Sequence, residues 1–132
     1  MNNRKGFTLV EMLVVIAVIG IISTVALTAL GPSRDKAKDS RVISGLNQIR
    51  AIAETVYDGD YVDVTLIQTE IARSNADIKL NNGNVDITIQ KDANNTAYAA
   101  SSPLLSGGFY CVDSNGNTKQ QANLAVVNAV CQ

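Results

Sequence analysis

The sequence predicts an α+β fold in which one long N-terminal helix carries a small antiparallel β-sheet. Three observations support this prediction. An apolar run covers Phe7–Leu30, and an amphipathic helical pattern follows over Ser33–Tyr57. Beyond it, short stretches of alternating apolar and polar residues are separated by turns rich in Asn and Gly. We therefore expect an apolar helical half, an amphipathic half packed on a head, and a head formed by residues 58–132.

The apolar run is long enough to span a hydrocarbon core of ~30 Å at ~1.5 Å per residue. Glu11 is the one charged residue within it. A carboxylate inside a bilayer costs about 2.5–3.5 kcal/mol on insertion scales, so Glu11 is a candidate functional residue. Gly31-Pro32 ends the run, and Pro32 lacks an N–H and would crowd the carbonyl of Thr28. We expect a kink or a short break there.

The amphipathic half should lay an apolar stripe on the head, because its apolar residues recur with helical spacing. Asp58-Gly59-Asp60 should end this helix. The predicted stripe consists of Val42, Leu46, Ile49, Ala53 and Val56, with Ile43 and Ile52 on its flanks.

The head should contain a short second helix over Val64–Ala76, with Leu66, Ile67 and Ile71 pointing inward. The tail, Ala122–Val130, is apolar and fits a strand or a helix. Strands are predicted over residues 78–80, 85–90, 96–100 and 109–113, with turns at 81–84, 93–95 and 114–117.

Composition argues against an enzyme. The 132 residues include no His, which excludes a histidine general base, a Ser-His-Asp or Cys-His arrangement and a His-ligated zinc site. No cofactor or metal is expected. From Asp58 onward four basic residues face eight acidic ones, so DNA binding by the head is electrostatically disfavoured.

The two cysteines, Cys111 and Cys131, both lie beyond the apolar run, and neither belongs to a CxxC motif. This arrangement indicates an exported domain with one disulfide. The alternative is a pair of buried free thiols.

The N-terminus resembles a known signature. Gly6-Phe7-Thr8-Leu9-Val10-Glu11 is similar to the G-F-T-L-x-E box of class III signal peptides, found in type IV pilins and their relatives. The resemblance implies a pilin-like fold and cleavage between Gly6 and Phe7 by a membrane prepilin peptidase, which would also N-methylate Phe7. It further implies that Glu11 neutralises the Phe7 α-ammonium of a neighbouring subunit during assembly, since two charges in a low dielectric are tolerable only as a pair.

The resemblance also implies a domain organisation and a function. Residues 1–6 would be the leader, 7–32 the transmembrane and polymerisation helix, 33–57 the amphipathic half and 58–132 the head. The protein would be a structural subunit of a type IV pilus, an extracellular helical filament for adhesion, motility or DNA uptake. Its partners would be its own copies, the peptidase and the assembly platform with its ATPase. It would begin as a single-pass precursor in the inner membrane.

Two other functions are open. One is a pseudopilin of a type II secretion or competence system, and the other is a membrane-anchored extracytoplasmic binding domain that does not polymerise. Two basic residues, Arg4 and Lys5, precede the apolar run, and four follow it. Because basic residues favour the cytoplasmic side of a membrane, this count argues against a cytoplasmic N-terminus. The motif favours the N-in orientation. Those four residues are Arg34, Lys36, Lys38 and Arg41.

The apolar run itself has three alternative interpretations. A secretory signal peptide would be cut after Ala29-Leu30-Gly31, but Pro32 just after that bond blocks signal peptidase, and Glu11 does not suit a signal peptide. A plain membrane anchor and a buried core helix are the other two.

Two further groups of residues have a structural and a functional interpretation. The Asp- and Asn-rich segments 58–63 and 113–117 fit turns better than calcium loops, because neither has the spacing of an EF-hand. The tyrosines fit the packing of the head better than a stacking platform for nucleic acid. They are Tyr57, Tyr61, Tyr98 and Tyr110.

Overall fold

The computed structural model describes residues 6–123, 126–127 and 129–131. Within them the chain is α+β, as the sequence predicts. The leader residues 1–5 and parts of the predicted apolar tail (residues 124, 125 and 128) lie outside the described residues. The elements are α1 (Leu9–Thr55), α2 (Thr69–Asn81), β1 (Thr88–Lys91), β2 (Tyr98–Pro103), β3 (Phe109–Asp113), β4 (Thr118–Gln121), β5 (Val126–Val127) and β6 (Val130–Cys131).

The chain divides into two compact units, one ending at Arg34 and the other beginning at Asp35. Helix α1 continues through Pro32, so the predicted break is wrong, whereas the alternative expectation of a kink stays a prediction. Proline removes only its own N–H from the helical ladder, which leaves the Thr28 carbonyl without that donor. At the next residue, the Ser33 hydroxyl donates to the Ala29 carbonyl at 3.2 Å.

In the second unit, the predicted apolar stripe of α1 is confirmed. Val42, Leu46, Ile49 and Ala53 are buried, and Val56 is half-buried at the edge of the core. The stripe also includes Gly45, which an apolar pattern does not reveal. A Cβ at Gly45 would lie 2.6 Å from Cγ1 of Ile78 on α2, so glycine permits the close approach of these two helices.

Helix α2 begins later than predicted, and the predicted strand 78–80 is wrong because α2 continues to Asn81. Leu66 and Ile67 precede the helix and are exposed, so their predicted inward position is wrong, whereas Ile71 is buried as predicted. The buried face of α2 includes a polar residue, Asn75, which obscured the helical pattern in the sequence. The face consists of Ile71, Ser74, Asn75 and Ile78.

Asn75 is satisfied by the chain that leads into the sheet. Its amide Nδ2 donates to Asp86 Oδ1 at 2.8 Å, and its Oδ1 accepts the Ile87 N–H at 3.0 Å. The Lys79 ammonium also lies 3.0 Å from the Asp86 carboxylate. These contacts attach residues 85–87 to α2, which explains why β1 starts at Thr88 and not at Val85 as predicted.

The main sheet has the order β1-β2-β3-β4 and is antiparallel throughout. Strand β3 has the predicted bounds, whereas β2 covers Tyr98–Pro103 in place of residues 96–100. β2 shows no apolar–polar alternation because both of its faces are buried. One face, with Ala100 and Val112, packs in the core with the stripe of α1, and the other, with Ala99 and Cys111, packs against Cys131.

A buried carboxylate attaches α1 to the loop between β2 and β3. Asp39 Oδ1 accepts the Leu105 N–H at 2.7 Å, and Oδ2 accepts the Ser106 N–H at 3.0 Å. Two hydrogen bonds to a charged acceptor compensate for its burial. The second unit therefore holds its part of α1 by apolar packing and by this charged contact.

The contact between α1 and α2 gives a stability prediction. Gly45→Val should destabilise a fragment starting near Ser33 by about 1–3 kcal/mol, because the added side chain overpacks the position next to Ile78. Thermal unfolding measures the change. Ser44→Val, a substitution at the exposed neighbouring position, is the matched control. Equal melting temperatures for the two variants would contradict the close approach of these helices.

Candidate functional site

The resemblance places the functional residues at the start of α1, and the structure shows how that segment is built. Gly6, Phe7 and Thr8 precede the helix, which begins at Leu9. All three are exposed, and the Phe7 side chain is 77% exposed. The bond between Gly6 and Phe7 therefore lies in non-helical, accessible backbone.

Thr8 and Glu11 form a reciprocal cap on the helix. Glu11 Oε2 accepts the Thr8 N–H at 2.7 Å and the Thr8 hydroxyl at 2.8 Å. In return, Thr8 Oγ1 accepts the Glu11 N–H at 3.3 Å. This is a capping box, which satisfies backbone donors that the first turn of a helix otherwise leaves unpaired.

The capping box was not predicted, although its signal is visible in the sequence as Thr-x-x-Glu before an apolar run. Glu11 therefore caps the helix of its own chain, in addition to the pairing with a neighbouring subunit that the resemblance implies. Both intramolecular bonds use Oε2, and Oε1 accepts none within the described residues. One carboxylate oxygen is therefore available to a donor from another molecule. No hydrogen bond joins Phe7 to Glu11 across the described chain.

The helix that follows has no protein cover in the first unit. Among the described helices, α1 alone is long and apolar enough to cross a membrane, and its most apolar window is 0% buried. In this unit, its two threonine hydroxyl groups beyond the cap are satisfied by the helix backbone, since Thr24 donates to the Gly20 carbonyl at 2.9 Å and Thr28 to the Val25 carbonyl at 2.9 Å. Internal satisfaction of polar groups is what a hydrocarbon environment requires.

The cysteines form the predicted disulfide, between β3 and β6. Cys111 and Cys131 have Cα atoms 5.8 Å apart and are both buried. A second contact lies beside the disulfide, because the Cys131 N–H donates to Oδ2 of Asp113 at 3.1 Å. The described part of the predicted tail is thus strand, held by one covalent bond and one hydrogen bond.

Asp113 is fully buried and also shapes the turn after β3. Its Oδ1 accepts the N–H groups of Asn115 and Asn117 at 3.0 and 2.8 Å, and its Oδ2 accepts the Asn117 amide at 3.0 Å. All these donors come from the protein, which supports the interpretation of residues 113–117 as a turn. In the described part of the chain, no three His, Cys, Asp or Glu residues are grouped as metal ligands.

The tyrosines belong mainly to the head core. Tyr61 lies between Tyr57 and Tyr98, with ring centroids 4.8 Å apart in each pair. Tyr98 is fully buried, and burial raises the pKa of its phenol well above the usual value, so the group is neutral. Tyr110 packs against the same core, and Tyr57 is half-exposed. These contacts favour packing over a stacking platform.

Comparison with known proteins agrees with the N-terminal geometry. The family model of the prokaryotic N-terminal methylation motif matches residues 1–27. The chain is 46% identical to Fimbrial protein Q of Moraxella bovis over 46 residues, which cover 35% of this chain and 29% of that protein. It is 47% identical over 47 residues to the Type IV wide pilus major component PilA4 of Thermus thermophilus, covering 36% of each chain.

A third relative, the Type IV major fimbrial protein FimA of Dichelobacter nodosus, is 37% identical over 65 residues, 48% of this chain and 41% of FimA. The matched part of the chain thus spans well under half the length of these curated relatives. No solved structure matches the chain.

Fold and site together define a protein with an uncovered apolar N-terminal helix, a methylation-type N-terminus and a small disulfide-bonded α+β head. In its N-terminal part the chain is similar to type IV pilins and to their class III prepilin signal, as the resemblance in its sequence indicates.

The disulfide gives a prediction for the head. Cys131→Ser should lower the melting temperature of an oxidised fragment starting near Ser33, because the sequence separation of 20 residues corresponds to about 3 kcal/mol in the chain-entropy model. Limited proteolysis should also cut the C-terminal tail faster. Asn115→Ala, a substitution at an exposed position of the turn after β3, is the control. Two titratable thiols in the oxidised, unfolded wild-type fragment would show that the disulfide does not form.

Proposed function

We propose that the chain is a structural subunit of a type IV pilus, assembled as a helical filament of its own copies. The observation that carries this proposal is the capped Glu11 at the start of an uncovered apolar helix, directly after an accessible Gly6-Phe7 bond. The names of the relatives, which include pilus and fimbrial proteins, support it. The filament would serve adhesion, motility or DNA uptake.

Processing would come first. A membrane prepilin peptidase would cut between Gly6 and Phe7, remove the leader 1–6 and N-methylate Phe7. Two features support this assignment: the bond lies outside α1, and a side chain at Gly6 would meet no neighbouring atom, so an enzyme can approach the backbone there.

Assembly would then depend on Glu11. After cleavage, Phe7 carries a charged amine, and Glu11 carries a carboxylate near the start of the apolar segment. Each charge alone is costly in lipid, whereas a pair between neighbouring subunits offsets that cost. The unused Oε1 of Glu11 supports this role, because it can accept the neighbour's amine while Oε2 still caps its own helix.

The proposed division of labour follows the chain. Residues 7–32 would lie in the inner membrane before assembly and in the filament core afterwards, residues 33–57 would carry the head, and residues 58–132 would form the exported head. The assembly platform and its ATPase would move the subunit from the membrane into the growing filament.

The processing step predicts the mature N-terminus. Native material should begin at Phe7 with an N-methylated amine, because the peptidase removes residues 1–6. Intact mass and N-terminal sequencing read this directly. A Gly6→Leu variant should accumulate as uncut precursor, since a bulky residue before the bond blocks access to the peptidase. A mature chain starting near Pro32 would instead establish a secretory signal peptide.

The charge pair predicts the effect of Glu11→Ala. Cleavage and membrane insertion should continue, because the alanine helix is at least as compatible with lipid, but filament yield in sheared fractions should fall at least about tenfold, since one lost pair is worth more than ~1.4 kcal/mol. Quantitative blotting of cell-bound and sheared fractions measures both.

Two variants separate the roles of Glu11. Thr8→Val removes the cap but keeps the charge, and it should reduce assembly less than Glu11→Gln, which keeps the shape but removes the charge. If Glu11→Gln forms filaments at the wild-type level, Glu11 does not act in assembly by charge pairing.

A further inference from the structure

Exposed apolar residues gather in the loop between the two helices. Ile67 is 92% exposed, and Val62 and Leu66 in the same loop are also exposed. Ile67 lies beside Val56, near the C-terminal end of α1, where both line one shallow depression with Asp63. Scattered apolar side chains are normal on a surface, but three in one short loop form a patch that a partner would cover. We call Val62, Asp63, Leu66 and Ile67 the knob.

A groove lies elsewhere on the same unit. It has a volume of about 280 Å³ and is formed where α1 meets the β2–β3 loop and β4. Ile43 and Leu104 supply apolar surface, and Lys36 stands at its rim. Its lining consists of Lys36, Asp39, Ser40, Ile43, Leu104, Ser106 and Gln120.

The charges of the knob and the groove are complementary. Asp63 is exposed and forms no ion pair within the described residues, and the same holds for Lys36. Asp39 does not oppose an incoming acid strongly, because its carboxylate is buried under two N–H donors of the loop. On the knob side, Lys91 is already engaged with the carbonyls of Tyr61 and Val62. Asp63 and Lys36 are therefore free to pair.

The two surfaces are too far apart to meet within one molecule. Ser40 and Val56 are separated by roughly 24 Å along α1 at ~1.5 Å per residue. At ~100° per residue, Lys36, Ser40 and Ile43 lie to one side of the buried stripe of α1, whereas Val56 lies within that stripe. A contact between two different patches can join copies head to tail, which gives an open helix where the rotation does not close into a ring.

We infer that the knob of one subunit docks in the groove of a second copy of this chain, with Ile67 against Ile43 and Leu104 and with Asp63 beside Lys36. This contact rests on the proposed function, because it operates in a filament of identical subunits. It adds a second link between subunits, through the heads, to the one made by the apolar helices.

Cross-linking in assembled filaments tests the contact. The native cysteines leave no free thiol in the described residues, so an Ile67→Cys, Ser40→Cys double variant of the full chain carries two addressable thiols. In filaments from the host that encodes the chain, a short bis-maleimide should yield a ladder of multimers. Each single variant should give no ladder, and neither should the control pair Leu80→Cys, Ser40→Cys, since Leu80 is 80% exposed but lies outside both surfaces.

Charge exchange gives an independent measurement. Lys36→Glu and Asp63→Lys should each lower the yield of sheared filaments several-fold, and the double variant should recover most of it, which a purely structural role would not produce. Ile67→Lys should lower the yield about tenfold or more, whereas Leu80→Lys should not.

The outcomes separate this contact from the proposed function. Wild-type filaments with no ladder from the double variant, or with a cross-link from Ile67→Cys alone, would overturn the contact and leave the filament function in place. If the wild-type chain forms no filament of its own copies, both are overturned.

Discussion

The uncovered apolar part of α1 is the constraint on which the rest of this molecule depends. Its most apolar window has no buried residue, so lipid or other helices must cover it. Leaving the bilayer for a bundle of like helices brings little hydrophobic gain, because lipid tails are as apolar as the side chains of a neighbour. In the proposed filament, packing and the pairing of charges would favour assembly, and Glu11, the single acid of this segment, would supply the carboxylate of that pair.

The head is small, so its hydrophobic core is limited and it needs several means of stabilisation. The stripe of α1 packs on one face of the sheet, and Cys131 packs on the other. Three buried polar residues connect parts of the chain that are distant in sequence. Asp39 links α1 to the β2–β3 loop, Asn75 links α2 to the start of β1, and Asp113 links the β3 turn to Cys131. Each is satisfied by N–H donors, so burial costs little.

Local patterns in the sequence were sufficient for the N-terminal signal, the stripe of α1, strand β3 and the cysteine pair. They did not predict the structure correctly where the burial of a residue depends on a partner distant in the sequence. In the sequence, Asn75 is typical of a surface residue, but in the structure it is buried and hydrogen-bonded to Asp86 and Ile87. For this reason α2 differs from the predicted helix and β1 is shorter than the predicted strand. β2 lacks alternation because both faces are buried, and Asp39 acquires its partners 66 and 67 residues later. The capping box is local and could have been predicted from Thr8 and Glu11.

The composition of sheared extracellular filaments tests the central claim most directly. Filaments purified from the host should be analysed by quantitative mass spectrometry and helical reconstruction. We expect this chain to be present in stoichiometric amounts, as the repeating subunit, with its apolar helices packed together at the filament axis. A chain that stays in the membrane fraction and is absent from every extracellular filament would contradict the account, and would favour a membrane-anchored domain that does not polymerise.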